Sequence, residues 1–306
     1  MKEYDTSVNL SGWELDNPVI PASGTFGYGY EFMEFYNINK LGSFSFKGTT
    51  RLPQNGNPQP RVAEYDSGLI NSVGLENPGI HKVIDEELPK LAKVFHKKVV
   101  ANISGNSIED FVYNCSLIDK CDQVGIIELN VSCPNVHGGK IPFGANPDMV
   151  KKVVGSVKEV TTKPLYVKLS PNVSDIVEIA VAAKQAGADG IVLINTLQGM
   201  RIDLKTGKPV LSKIMGGCSG SAIFPIAERM VYQVYEAVDI PIIGVGGIDS
   251  AEKVLEMMYA GATAVEVGAA NVVDPWASEK IVDDLPKVME KYNVKSLKKV
   301  IGKSHN

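Results

Sequence analysis

Eight short runs of β-branched and other apolar residues recur along the chain, and they constrain its fold more than any other feature. Each run is bounded by Gly, Pro or Asn, and most stay almost continuously apolar until a polar or glycine-rich end. A strand buried on both faces has this pattern, and the polar end indicates that its carboxyl end opens into a site. The runs cover residues 17–24, 42–48, 98–105, 125–133, 164–171, 190–196, 241–248 and 264–270.

Segments with helical apolar spacing lie between and after these runs, and several begin with a Ser, Asn or Asp that can cap a helix. They cover residues 31–40, 81–95, 107–120, 146–160, 174–187, 222–238, 250–261 and 276–292. Eight strands alternating with eight helices predict an α/β fold, a closed (β/α)8 TIM barrel. An open doubly wound sheet is the alternative, but its first strand should lead into a GxGxxG turn, whereas this one leads into SGTFGYGY.

The length of 306 residues allows either two domains or one barrel with residues to spare. No linker or shift in composition divides the chain, so a single domain over residues 1–306 is expected. The surplus then falls in three long segments after strand carboxyl ends, at 49–80, 134–146 and 197–221. Barrels of this kind place their active sites at those ends, so the segments are interpreted as long βα loops that line the site. Glycines at 138, 139 and 144 indicate a lid at 134–146.

Charge and cysteine usage exclude several functions. The formal net charge is −4 and no run of Lys or Arg occurs, which argues against binding to nucleic acid or to an anionic membrane. The amino terminus lacks the apolar core of a signal peptide, and no apolar stretch could span a membrane, so a cytoplasmic location is expected. The four cysteines and four histidines show no metal-ligand spacing, so no metal is expected. Cys115, Cys121 and Cys218 are interpreted as packing residues.

Polar residues stand at the carboxyl ends of the predicted strands, where one cavity should collect them. A single Asn there is more often structural than functional, but several converging amides and lysines need partners, which a polar planar ligand would supply. Glycine-rich ends after the seventh and eighth strands leave backbone N–H groups unobstructed, and barrels commonly bind phosphate there. These strand-end residues are Ser23, Lys47, Asn102, Asn130, Cys133, Lys168, Asn195, Thr196, Gly246, Gly247, Gly268 and Ala269.

Cys133 is the one thiol in this set. A buried cysteine is usually an inert small residue, but this one ends a strand among polar neighbours and precedes a glycine-rich segment. Because no histidine lies close to it in sequence except His137, a general base is a better interpretation than a Cys–His nucleophile. A histidine that is distant in sequence but close in space remains an open alternative.

The motifs SFKGTT, NSVGLENPG, NVSCPNV, VKLSPN, GVGGI and VGAA occur together in this chain. With them the sequence resembles the dihydroorotate dehydrogenases, and more specifically the class 1B catalytic subunits, over nearly its whole length. The resemblance implies a barrel that contains one FMN and oxidises dihydroorotate to orotate in de novo pyrimidine biosynthesis. Cys133 matches the catalytic base that removes the C5 proton, while the hydride from C6 goes to FMN.

The resemblance also implies two sets of binding residues. The FMN set is Ala22, Ser23, Gly24, Lys47, Gly48, Asn102, Asn130, Lys168, Ile194, Gly220, Gly246, Gly247, Gly268 and Ala269. The substrate set is Lys47, Asn71, Ser72, Val73, Gly74, Leu75, Asn130, Asn135, Asn195 and Thr196. Lys168 would stabilise negative charge on reduced flavin, and Lys47 would offset the substrate carboxylate.

The class 1B resemblance implies a homodimer of this chain within a heterotetramer. Its partner subunit would carry FAD and a [2Fe–2S] cluster and pass electrons to NAD⁺. A class 1A enzyme linked to fumarate is the near alternative. More distant alternatives are a flavoenzyme that reduces uracil-type rings, a barrel lyase or isomerase that uses Lys47 or Lys168 on a phosphorylated substrate, and a noncatalytic binding barrel.

Overall fold

The computed structural model describes residues 4–132 and 142–305. Cys133, Asn135 and most of the predicted lid lie outside these ranges. The strands in chain order are β1 (Val8–Leu10), β2 (Trp13–Leu15), β3 (Val19–Pro21), β4 (Val62–Tyr65), β5 (Gly68–Asn71), β6 (Val99–Ile103), β7 (Val124–Asn130), β8 (Leu165–Lys168), β9 (Gly190–Leu193), β10 (Leu197–Met200), β11 (Ile202–Asp203), β12 (Lys208–Pro209), β13 (Met215–Ser219), β14 (Ile242–Val245) and β15 (Ala264–Val267).

A closed parallel barrel forms the centre of the fold, as predicted. Seven of its strands pair in the order β3-β15-β14-β9-β8-β7-β6. The predicted second strand, residues 42–48, closes the ring between β3 and β6 without being a regular strand. Ser45 N–H donates to Pro21 O over 2.9 Å, and Phe46 N–H donates to Val100 O over 3.1 Å. All eight predicted segments therefore contribute to the barrel wall, and their apolar side chains are buried because both faces are covered.

Helices surround the barrel and largely follow the predicted segments. They are α1 (Ile80–Lys82), α2 (Leu88–Ala92), α3 (Ile108–Ile118), α4 (Pro147–Lys158), α5 (Ile176–Gln185), α6 (Phe224–Tyr235), α7 (Ala251–Tyr259), α8 (Ala269–Val273) and α9 (Ala277–Lys291). Side chains of Ser107, Asn146, Asp175 and Ser250 cap four of them. A π-helical turn at Val83–Glu87 joins α1 to α2. No helix in the described ranges is long and apolar enough to cross a membrane.

The prediction of a helix at 31–40 is wrong. Two short 3₁₀ helices occupy this region, at Tyr30–Glu34 and Ile38–Lys40. The first ends at Glu34, and the Asn37 side chain accepts a hydrogen bond from Asn39 N–H, which starts the second. Phe32 and Phe35 of this segment belong to an aromatic cluster, in which Phe26 and Phe32 stack with ring centroids 4.0 Å apart. The apolar spacing therefore reflects packing of aromatic rings and not an α-helical face.

The long segments at 49–80 and 197–221 are more ordered than the predicted loops. They supply a four-stranded antiparallel sheet with the order β10-β13-β5-β4, which we call the roof sheet. Residues from the two segments pair directly, since Asn71 is the register partner of Gly217. The roof sheet follows the carboxyl ends of barrel strands, so it covers the face where the site is expected.

The opposite end of the barrel is closed by the hairpin of β1 and β2, which we call the floor hairpin. A Cβ added to Gly125, near the start of β7, would lie 2.9 Å from the Trp13 ring. Ser11 Oγ lies 3.0 Å from the hydroxyl of Tyr166, near the start of β8. The chain ends also meet, because Asp5 forms a parallel bridge with Ser296. This end has a packing role, whereas the roof sheet and the strand carboxyl ends lie at the other end.

Candidate active site

We call the carboxyl ends of the barrel strands the mouth. Its first loop carries Ala22, Ser23 and Gly24. Ala22 is buried, and a Cβ added to Gly268 would lie 3.8 Å from the Ala22 Cβ. A Cβ added to Gly24 would lie 4.0 Å from Lys47 Nζ. The structure therefore brings together predicted FMN residues from the first, second and eighth strands.

Lys47 is partly buried beside this loop. Burial lowers the pKa of its ammonium, and the nearby charges of Glu76 and Arg61 act on that pKa in opposite directions. No ion pair or hydrogen bond joins the ammonium to a described residue. A partly desolvated cation without a carboxylate partner among the described residues has the chemistry to bind an anionic group.

Three glycines with positive φ angles form a close turn at the far side of the mouth. These angles are 118° at Gly220, 134° at Gly246 and 70° at Gly247. A Cβ added to Gly247 would lie 2.8 Å from Gly220 O and 2.7 Å from Phe224 N, so a larger residue would be strained and crowded. Ile194 is buried below, with its Cγ1 3.6 Å from the Cβ position of Gly246. These predicted FMN residues are neighbours in space.

Two of these glycines, Gly220 and Gly247, line a cleft of about 480 Å³. The cleft lies between the turn that joins β4 to β5 and the helices α8 and α9, and Gly220, Gly247 and Ala269 contribute to its wall. Asp66, Asp249 and Asp274 also line it, and the Lys280 ammonium there lies 2.6 Å from Asp274. With these carboxylates present, a phosphate in the cleft would depend on backbone N–H groups, which is the mode of binding predicted for glycine-rich strand ends.

A buried polar network lies inside the barrel below the mouth. Lys168 Nζ is 2.5 Å from Glu266 Oε2 and 3.2 Å from Glu128 Oε1, and both glutamates are fully buried. Asn102 Nδ2 donates to Glu128 Oε1. Asn102 Oδ1 is buried, accepts from no described residue and lies 2.9 Å from the Cβ position of Gly48. Two predicted FMN residues are thus held in place by two glutamates that the strand-end pattern did not indicate.

The network shifts the pKa values of its members. Burial alone would lower the pKa of Lys168, but the Glu128 and Glu266 carboxylates outweigh it and raise that pKa above the ordinary value. Burial and then the Glu128 carboxylate raise the pKa of Glu266 well above its usual range. A charged residue inside the apolar runs GIIELN and AVEVG is the sequence signal for these glutamates, because an unpaired buried carboxylate is costly.

The predicted substrate amides form a second cluster at the mouth. Asn195 Nδ2 donates to Asn130 Oδ1 over 3.3 Å, and Asn130 Nδ2 donates to Ser104 Oγ over 3.4 Å. Thr196 N–H donates to Asn195 Oδ1 over 2.7 Å, and Asn172 Nδ2 donates to Thr196 O over 3.0 Å. The three predicted residues therefore meet, and Ser104 and Asn172, which the sequence did not single out, hold them.

The predicted substrate segment from Asn71 to Leu75 reaches the mouth from the roof sheet. Gly74 and Leu75 have φ angles of 80° and 55°, so the chain turns sharply there. The Leu75 side chain lies 3.6 Å from the Cβ position of Gly48. Asn71 and Thr196 both contact Gly217, since Asn71 Nδ2 donates to its carbonyl over 3.4 Å and Thr196 Oγ1 lies 1.9 Å from its Cβ position. Ser72 and Val73 complete the segment.

Asn77 fixes this segment, although the sequence did not single it out. Its Oδ1 accepts from the backbone N–H of Thr50 and Gly79, over 3.1 and 2.9 Å. Its Nδ2 donates to Thr50 Oγ1 over 2.8 Å and to Leu75 O over 2.6 Å. Every hydrogen-bonding atom of this buried amide is used, so it ties the segment to the chain that follows the second barrel strand. The dipeptide Asn-Pro in NSVGLENPG signals a turn but not this role.

The predicted base Cys133 and the predicted substrate contact Asn135 lie outside the described residues. The described chain comes up to Ser132, whose N–H donates to Asn130 Oδ1 over 3.2 Å. The described end of the predicted lid, Phe143–Ala145, forms a 3₁₀ turn in which Phe143 is buried against Phe111. Of the cysteines interpreted as packing residues, Cys115 is fully buried, and Cys121 and Cys218 pack partly buried against the core.

The fold and the mouth together define a class of protein: a (β/α)8-barrel enzyme whose strand ends present lysines, carboxamides and a glycine turn to one polar ligand site. Among the described residues, no three His, Cys, Asp or Glu side chains are grouped to hold a metal ion. This class covers many chemistries, because barrels with similar sites catalyse unrelated reactions.

Within this class, the chain belongs to the dihydroorotate dehydrogenase family, whose family model matches residues 6–289. It is similar to proteins named dihydroorotate dehydrogenase B (NAD(+)), catalytic subunit. The relative from Halalkalibacterium halodurans is 52% identical over 97% of this chain and 97% of its own length. The relative from Bacillus cytotoxicus is 52% identical over 97% and 96%, and that from Geobacillus kaustophilus is 51% identical over 97% and 95%. The resemblance drawn from the motifs is confirmed.

Proposed function

We propose that this chain is an FMN-dependent dihydroorotate dehydrogenase that oxidises dihydroorotate to orotate in pyrimidine biosynthesis. The observation that carries the proposal is the convergence of the glycine turn, Lys47, Lys168 and the amide cluster on one mouth. Relatives that are about half identical over 97% of the chain carry this activity in their names. NAD⁺ is the proposed final acceptor, because those names include NAD(+).

The residues at the mouth fit FMN on two observations of the structure. Gly220 and Gly247 give the cleft a wall of bare backbone, because a Cβ at either position would collide with neighbouring backbone atoms. The orphaned acceptor Asn102 Oδ1 needs a donor, which an N–H of a flavin ring would supply. The proposed holders are the fourteen residues of the FMN set given above. When bound, FMN supplies the hydride acceptor that protein side chains lack.

The substrate site is proposed to combine a cation with an amide edge. Lys47 would bind the carboxylate of dihydroorotate as a charge-assisted pair. Asn71, Asn130, Asn195 and Thr196 each offer donor or acceptor atoms, which suits the alternating C=O and N–H edge of a pyrimidine ring. Segment 72–75 would lie against the substrate, because Leu75 already packs over Gly48. Asn135 is a further proposed contact.

Cys133 is proposed as the base that removes the C5 proton. A thiol acts as a base only when it is deprotonated, so reduction of the flavin should accelerate as the pH rises toward the ordinary cysteine pKa of about 8.5. Cys133→Ala should retain FMN but lose the anaerobic bleaching of the flavin by dihydroorotate. Cys121→Ala, at a cysteine that packs away from the mouth, is the matched control and should bleach normally. Rapid bleaching in Cys133→Ala would contradict the proposal that Cys133 is the base.

The assembly is proposed from the words catalytic subunit in the names of the relatives. A partner subunit carrying FAD and a [2Fe–2S] cluster would pass electrons to NAD⁺ in a cytoplasmic heterotetramer built on a dimer of this chain. Each chain would contribute one barrel domain, residues 1–306, with one FMN.

The test is a set of anaerobic absorbance measurements on the purified protein. A yellow protein that dihydroorotate bleaches, and that produces NADH only when the partner subunit is added, is the expected result. Reoxidation by fumarate in the absence of a partner would instead make the chain a class 1A enzyme. A protein that stays colourless after FMN is added, or a yellow one that ignores dihydroorotate, would overturn the proposed activity.

A further inference from the structure

The two carboxyl groups beside Lys168 each leave one oxygen without a donor. Glu128 Oε2 and Glu266 Oε1 are buried and accept from no described residue. Both carboxyl groups contact the same ammonium, since Lys168 Nζ lies 2.5 Å from Glu266 Oε2 and 3.2 Å from Glu128 Oε1, so the two groups lie close together. An ionised carboxylate can only accept, so two carboxyl groups share a hydrogen bond only when one of them carries a proton. A proton held between them would give the orphaned oxygens a hydrogen-bonding partner.

The charge of the cluster leads to the same result. With both glutamates ionised, two carboxylates against one ammonium would leave a net charge of −1 inside the barrel, and an uncompensated buried charge is strongly unfavourable. Burial and the adjacent Glu128 carboxylate raise the pKa of Glu266. The charged groups of the described chain that act on the pair are Lys168 and the two carboxyls themselves. One retained proton makes the cluster neutral.

We propose that Glu128 and Glu266 are positioning residues that hold one proton between them, anchor the Lys168 ammonium below the mouth and keep the charge of this cluster at zero. An ammonium has three N–H donors, and the two carboxyl groups take at most two of them. The remaining donor is available to a ligand at the mouth, where Lys168 keeps 6% of its surface exposed.

The pair has a consequence for a flavin bound above it, and this consequence rests on the proposed function. A neutral cluster stabilises negative charge on the flavin less than a lone ammonium does. Glu128 and Glu266 therefore hold the reduction potential of the flavin lower than Lys168 alone would set it. Electrons then leave the flavin more readily toward an acceptor.

The proton itself is tested by infrared difference spectroscopy on the protein as purified, near neutral pH. Subtracting the spectrum of E128Q or E266Q from that of the wild type cancels the bands of any bound cofactor. The C=O stretch of a protonated carboxyl, identified by its shift in D₂O, should be lost in both variants, because a single remaining carboxylate beside Lys168 ionises. E87Q, at a buried carboxylate that accepts from the Tyr30 hydroxyl, is the control and should keep the band.

The charge is tested by the midpoint potential of bound FMN in the same variants. Either single variant leaves one carboxylate and one ammonium, so each should shift the equilibrium between oxidised and reduced flavin by less than tenfold, or about 30 mV for a two-electron couple. The double variant E128Q/E266Q leaves a lone ammonium and should raise the potential by more than that. This non-additivity is the signature of a shared proton, since a purely structural role gives no such pattern.

Each outcome decides the proposal. If both single variants raise the midpoint potential by more than about 30 mV, both carboxylates are ionised in the wild type and the shared proton is wrong. The shared proton is also refuted if the wild type lacks the carboxyl band or if both single variants keep it. This infrared result does not depend on the folding of the double variant. A protein that contains no flavin but shows the band and its loss supports the pair and refutes the proposed function alone.

Discussion

Lys47 combines partial burial with the lack of an anionic partner among the described residues. Replacing it by Met keeps the aliphatic stem but removes the charge. A charge-assisted hydrogen bond contributes about 1.5–3 kcal/mol, so the KM for dihydroorotate should rise by about 10- to 100-fold in Lys47→Met. Lys97→Met removes a lysine that pairs with Asp16 away from the mouth, and its KM should not change.

The same lysine gives a pH dependence whose sign follows from its pKa. Burial lowers that pKa, so the ammonium loses its proton at a lower pH than a free lysine does. Binding of an anionic substrate needs the charged form, so the KM should rise as the pH increases through the lowered pKa. Lys47→Met should lose this rise. An identical alkaline KM profile in Lys47→Met and wild type would show that Lys47 does not bind the substrate.

Gly247 and Gly207 offer a matched pair for testing the glycine turn. Their φ angles are 70° and 67°, so alanine at either position carries a similar left-handed strain of about 1–2 kcal/mol. Only at Gly247 would the new Cβ crowd backbone atoms, since nothing lies within 4 Å of that position at Gly207. Gly247→Ala should weaken FMN binding by about tenfold or more, which is equivalent to about 1.4 kcal/mol. The affinity is measured by titrating FMN into the apoprotein. Equal FMN affinities in the two variants would argue against a cofactor phosphate at this turn.

At the residue scale, the sequence predicted the side chains at strand ends but not those that hold them. Lys168 and Asn102 could be found because each stands where an apolar run ends. Glu128 and Glu266 lie inside such runs, and their pairing with Lys168 depends on strands that are far apart in sequence. The sequence indicates that a buried charge is present, but only the closed barrel shows which residue neutralises it.

At the scale of elements, the roof sheet determines where the substrate segment lies, and Asn77 attaches that segment to the barrel. Asn77→Ala leaves the N–H groups of Thr50 and Gly79 and the Leu75 carbonyl without a partner. The unfolding free energy should fall by about 1–3 kcal/mol, and the KM for dihydroorotate should rise while FMN stays bound.

The control for Asn77 is an asparagine with a comparable local role at the other end of the barrel. Asn9 accepts from Gly12 N–H over 2.8 Å and donates to Glu14 in the floor hairpin. Asn9→Ala should lower stability, measured by urea unfolding, without any change in KM. If the two variants lose stability but neither alters the KM, the segment held by Asn77 does not contact the substrate.

The roof sheet also shows why elements with distant partners escape prediction. β5 and β13 pair although about 150 residues separate them, and the sequence MGGCS of β13 lacks the alternation that marks a half-buried strand. Local patterns therefore indicated loops. The barrel strands were predictable because burial on both faces leaves a continuous apolar run in each strand, whichever strand pairs with it.

At the scale of the whole molecule, the two ends of the barrel have different roles. The mouth leaves polar atoms of Asn102 and Lys47 without described partners, whereas the floor hairpin packs against the barrel and the chain ends meet beside it. Buried polar groups without partners are unfavourable in the free protein and become satisfied by a ligand. Stability should therefore be determined mainly by the floor and the core, and ligand affinity mainly by the mouth.

Trp13→Ala tests this separation of stability from ligand binding. The Trp13 ring packs against Gly125 at the start of β7, and its loss exposes that end of the barrel. The free energy of unfolding should fall by about 1–3 kcal/mol, because Trp13 is partly and not fully buried. The KM for dihydroorotate and the affinity for FMN, both measured well below the melting temperature, should stay at wild-type values. No residue of the floor hairpin lies at the strand carboxyl ends, so the hairpin cannot contact a ligand there directly. A raised KM or weaker FMN binding in Trp13→Ala would therefore mean that the floor hairpin controls the geometry of the mouth.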